Sequence, residues 1–80
     1  MEDKINIAAS EIVAKISELP VGSIFTVGEY LKDYGFETIE NLKLTGKVFS
    51  LCKSNNIQIE NTQAGMVLGM PWVYRYKKEN

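Results

Sequence analysis

Two groups of basic and hydroxyl-bearing residues stand out in the second half of the chain. Lys43, Lys47, Ser50 and Ser54 recur at spacings of three and four, flanked by Asn41, Thr45 and Lys53. Arg75, Lys77 and Lys78 form a second cluster. Lysine and arginine pair with phosphates, while Ser, Thr and Asn hydrogen-bond phosphates or base edges. The chemistry these residues offer is capture of a polyanion. Charge distribution agrees. Residues 1–40 hold three lysines against eight acids, a net of −5, and residues 41–80 hold six bases against two acids, a net of +4. The overall charge of −1 hides that division, and a basic half is an electrostatic footprint for nucleic acid.

Catalytic inventories are thin. Histidine is absent and Cys52 is the one cysteine. That excludes Ser-His-Asp and Cys-His nucleophiles, His-liganded zinc and disulfides. Glycines at positions 22, 28, 35, 46, 65 and 69 match neither a phosphate-binding P-loop nor a dinucleotide fingerprint. No carboxylate pair has a convincing spacing. The expectation is a binding protein without enzymatic activity, cofactor or metal. A lone thiol suits a reducing cytoplasm. No apolar run approaches the roughly 20 residues of a membrane helix, and the opening residues are acidic where a signal peptide needs bases. A soluble, cytoplasmic protein with no membrane contact is expected. Eighty residues, 45% of them hydrophobic, suffice for one domain around one core, spanning 1–80.

The elements that must carry the basic residues follow from periodicity. Ile5, Ala8, Ala9, Ile12, Ile16 and Leu19 predict a first helix over about residues 3–19, with Val13 beside the stripe and Pro20 ending it. Pro20 and Gly22 predict a turn, and Ser23 to Phe25 a short strand. Thr26 and Glu29 fit a capping box, which starts a second helix at Val27. That helix runs through Tyr34 to a left-handed stop at Gly35. A third helix is expected from about Ile39 to Ser54, with an alternative start at Gly46 if Thr45 is its N-cap. Ile39, Leu42, Gly46, Phe49 and Cys52 form one apolar face, and Leu44, Val48 and Leu51 the adjoining one. The stripe of Glu40, Lys43, Lys47, Ser50 and Ser54 is left for solvent, and Asn55-Asn56 ends the helix. Ile57 to Glu60 alternates as a half-buried strand. Pro71 to Lys78 reads as a second strand, with Trp72, Tyr74 and Tyr76 on one side and Val73, Arg75 and Lys77 on the other.

Other surfaces compete with the basic stripe. Met66, Val67, Leu68 and Met70 are apolar in what should be a loop. If exposed, they suit a protein interface, for a homodimer or for a phage-type inhibitor acting on a host nucleoprotein. Three alternating aromatics would suit a platform for single-stranded nucleic acid, but period-two alternation favours the buried face of a small sheet. Scattered acids in the first half read as a solvated face rather than a nucleic-acid mimic. Cys52 reads as an inert core residue.

The order of elements, at this length, resembles a winged helix-turn-helix domain: three helices, a short strand after the first, and a two-stranded wing at the end. The class is α+β. Leu19, Pro20, Gly22, Phe25 and Thr26, followed by Leu44, Gly46 and Phe49, also resemble the pattern of a family of short uncharacterised proteins of Gram-positive bacteria and their phages. That family carries no activity to transfer. The winged-helix resemblance implies binding of double-stranded DNA, as a transcriptional regulator or a phage or plasmid accessory factor, with the third helix in the major groove and the wing along the backbone or minor groove. Asn41, Lys43, Thr45, Lys47, Ser50 and Ser54 would contact DNA from the helix, and Arg75 and Lys77 from the wing. The helix has no arginine, and Glu40 stands at its start. Binding by a monomer should therefore be weak and salt-sensitive, with about four phosphate contacts and a log–log salt slope near −4.

Overall fold

The computed structural model describes residues 2–62 and 71–80. The first helix, α1, covers Glu2–Ser17. Its buried side chains are Ile5, Ala8, Ala9, Ile12, Val13 and Ile16, the expected stripe. Leu19 packs against the same core from just beyond the helix. Gly22 follows with φ of +89°, a left-handed turn that costs glycine little. The chain then enters β1, Ile24–Phe25.

A second helix, α2, spans Gly28–Leu31. The capping box is in place: the Glu29 backbone N–H donates to Thr26 Oγ1 at 3.2 Å, and the Thr26 N–H donates to Glu29 Oε2 at 3.4 Å. Val27 already has helical dihedrals, φ −65° and ψ −32°. The helix is shorter than expected. After Leu31 the bonds tighten to the i−3 type, Asp33 to Tyr30 and Tyr34 to Leu31, and Gly35 turns the chain at φ +67°.

The third helix, α3, runs over Thr38–Ser54 as one piece, so Thr45 is not its N-cap. Glu37 and Glu40 form a capping box at its start, with the Glu37 N–H donating to Glu40 Oε1 at 3.0 Å. Its end is a Schellman motif around Asn56, which takes φ of +59°. The Ile57 N–H reaches Cys52 O at 2.8 Å and the Asn56 N–H reaches Lys53 O at 3.2 Å, satisfying two orphan carbonyls.

Two more strands complete the domain: β2, Ile59–Asn61, and β3, Tyr76–Lys78. The sheet is antiparallel in the order β1-β3-β2, so the last strand lies in the middle. Phe25 opposes Tyr76 on one side, and Glu60 opposes Lys77 on the other. The strand expected over Pro71 to Lys78 is only its final third. Pro71–Val73 is a 3-10 turn instead. Proline fixes φ and has no N–H for a ladder, and the Pro71 carbonyl is occupied by the Tyr76 hydroxyl at 3.2 Å. The result is a small α+β domain of three helices and a three-stranded antiparallel sheet. Leu44, Val48 and Cys52 of α3 meet the α1 stripe in the core, together with Phe25, Val27, Leu31 and Tyr76. Among the described residues, no helix is long and apolar enough to cross a membrane.

Candidate nucleic-acid interface

The basic helix presents a different face from the one expected. Leu44, Thr45, Val48 and Cys52 are its buried residues. Ile39, Leu42 and Gly46, expected inside, are exposed, with Ile39 at 69% and Leu42 at 42%. The solvent-facing line is therefore Ile39, Leu42, Lys43, Gly46, Ser50, Lys53 and Ser54. Lys47 is half-buried on its margin.

Two expected DNA contacts are withdrawn by this rotation. Thr45 has no exposed surface, and its hydroxyl donates to Asn41 O at 2.7 Å. It is a core residue and cannot touch a ligand. Asn41 is half-buried; its amide nitrogen donates to Phe36 O at 3.4 Å and its amide oxygen is enclosed. It holds the entry to α3 rather than facing outward. Ser54 is exposed, but its hydroxyl donates back to Ser50 O at 3.1 Å. Lys43, Ser50 and Lys53 remain on the open face.

The strand cluster divides. Lys78 is 6% exposed, and its ammonium donates to Ser17 O at 2.7 Å and Leu19 O at 2.6 Å. Its charge closes the C-terminal end of α1, where the helix dipole favours a cation, and is not offered to solvent. Arg75 and Lys77 are exposed. Lys77 lies opposite Glu60 in the ladder and beside Glu79. The Glu79 carboxyl is pushed above its ordinary pKa by its hydrogen bond to Glu60, then by desolvation and the Glu60 charge, against the pull of Lys77. Two acids thus share the sheet surface with two bases, whereas the lysines of α3 beyond its first turn have no acid on their own helix. From Asn41 to Ser54 that helix carries three lysines and no acid. The one acid in its first turn, Glu40, turns its carboxylate onto the Glu37 N–H.

The aromatic platform is absent. Tyr76 is buried, with ring centroids 5.0 Å from Phe49 and 6.2 Å from Phe25. Trp72 and Tyr74 pack half-buried against the core. Beside them, a groove of about 690 Å³ lies between the second half of α3 and β2, lined by Phe49, Cys52, Lys53, Ile57, Ile59 and Tyr76 among others. Cys52 is buried, and burial raises its thiol pKa, which keeps it protonated and unreactive. Met66, Val67, Leu68 and Met70, the expected protein interface, lie outside the described residues. No group of three or more metal-ligating side chains occurs among the described residues.

Compared with protein-family models, curated proteins and solved structures, the chain gives no significant match to any of them.

Proposed function

We propose that this chain is a small DNA-binding domain of the winged helix-turn-helix kind, in which α3 lies in the major groove of a duplex. The observation that carries the reading is the open face of α3: Lys43 and Lys53 stand on one solvent-facing line, on a helix without an acid beyond its first turn. A helix of 17 residues is long enough to cross the groove with its N-terminal turns near the bases. The short α2 before it and the sheet order β1-β3-β2 after it suit the same architecture. Few exposed cations on α3 mean few phosphate contacts, so binding is weak and falls steeply with salt. The test is an amide NMR titration of labelled protein with a generic duplex, at low and then physiological salt. Shifts confined to the exposed α3 residues, lost as salt rises and absent in Lys43→Glu, support the reading. No shifts at low salt overturn it.

A further inference from the structure

The exposed line of α3 has an apolar beginning. Ile39 and Leu42, three residues apart, project into solvent from its first turns, at 69% and 42% exposure. Lys43 follows directly, and Gly46 and Ser50 continue the line to Lys53. Among the described residues, a Cβ added at Gly46 would meet nothing within 4 Å, so none of their packing requires glycine there. Its effect is outward: the helix has a flat place between its apolar and basic ends, where backbone can lie close to a ligand.

On the reading that this face binds a duplex, we infer that Ile39 and Leu42 read bases by touching thymine C5-methyl groups, so the preferred ligand is thymine-containing, A·T-rich DNA. The N-terminal residues of a helix in the major groove are the ones that reach base edges. There the largest apolar partner for an aliphatic side chain is the thymine methyl; the other edges present mainly donors and acceptors. Covering those with isoleucine and leucine would leave them unpaired, at a cost. Lys43 and Lys53, farther along the line, supply the phosphate charge pairing that holds the helix in place. A protein partner fits less well. Two side chains fall far short of the roughly 800 Å² per partner that a stable interface buries, and the residue beside them is a lysine.

Replacing thymine by deoxyuridine removes that methyl and leaves the hydrogen-bonding edges intact. The experiment is fluorescence anisotropy at low salt with two duplexes of equal length, alternating dA·dT and alternating dA·dU. Wild type should bind the dT duplex more tightly, by about fourfold for each methyl in contact. The double variant Ile39→Ala with Leu42→Ala, both at exposed positions, should bind the two duplexes equally, at the level of wild type on dA·dU. Equal binding of both duplexes by wild type overturns the methyl reading while leaving DNA binding intact. Absence of binding to either duplex overturns both. If wild type sediments as a dimer and the double variant as a monomer, the pair is a protein interface and the inference fails.

Discussion

The ammonium of Lys78 donates to the backbone carbonyl of Leu19 at 2.6 Å, tying the central strand of the sheet to the exit of α1 across 59 residues of sequence. A second bond, to Ser17 O, uses another of its protons. Hydrogen bonds from a charged donor contribute more than neutral ones, and their loss leaves carbonyls without a partner. Lys78→Ala should lower unfolding free energy by about 2 kcal/mol. Lys77→Ala, exposed on the same strand, should change it by less than about 0.5 kcal/mol. Urea unfolding followed by circular dichroism separates the two. Equal effects would show that the Lys78 ammonium does not hold α1.

Thr45 distinguishes a core residue from a DNA contact. Thr45→Val keeps the shape and removes only the hydroxyl bond to Asn41 O. It should cost about 1 kcal/mol of stability and leave any affinity for DNA unchanged. Thr45→Lys places a charge where no surface is exposed and should prevent folding. A folded Thr45→Lys variant with tighter DNA binding would return this residue to the interface.

Gly28 tests the docking of the 3-10 turn on α2. A Cβ there would lie 2.9 Å from the Trp72 carbonyl oxygen and 3.4 Å from its ring. The first neighbour is backbone and must shift. Gly28→Ala should destabilise by about 1–3 kcal/mol, despite alanine's better helix propensity. Trp72 is the one tryptophan, so its fluorescence reports the displacement directly. An unchanged emission spectrum with unchanged stability would count against this packing.

Tyr34 gives the alkaline limb of the stability profile. Its hydroxyl donates to Glu11 Oε1 at 2.7 Å. Desolvation first, then that bond and the charges of Glu11 and Asp33, push its pKa from 10.0 up to about 12. The bond's contribution is fully present below the unfolded value and is lost as pH rises through about 12. Tyr34→Phe should flatten the decline of stability over that window. It should also remove a tyrosinate absorbance step near pH 12.

Local signals in the sequence led to local structure. Thr26 and Glu29 set α2 because the box closes within four residues, and Asn55-Asn56 ends α3 because asparagine tolerates the left-handed turn. The start of α3 was less legible, since glutamate at Glu37 is not among the favoured N-caps. The rotation of α3 was legible in part: Leu44, Val48 and Cys52 are buried and Lys43, Ser50 and Ser54 exposed as expected, but Ile39, Leu42, Gly46 and Thr45 fall on the opposite sides from those expected. Its apolar residues cover well over half of the helix surface, so hydrophobic pattern leaves open which edge of that arc is buried. Thr45 settles it, because a threonine can bury its hydroxyl by bonding the carbonyl four residues back. The exposed face keeps Lys43, Ser50 and Ser54 of the expected stripe, moves Lys47 to its margin and adds Ile39 and Leu42 at its start. Lys78 was misplaced for a different reason: its partners, Ser17 and Leu19, are remote in sequence, and no spacing reports them.

The position of β3 between the other two strands has a consequence for biosynthesis. Ile24–Phe25 and Ile59–Asn61 both precede Tyr76–Lys78 in the chain and do not pair with each other; both ladders wait for Tyr76–Lys78. Helices can form as the ribosome delivers them, but the sheet, and the Lys78 clasp on α1, assemble only after nearly all of these residues have been made. A nascent chain stalled before Tyr76 is therefore an open form with two unsatisfied strands, and quality-control proteases would meet it as such.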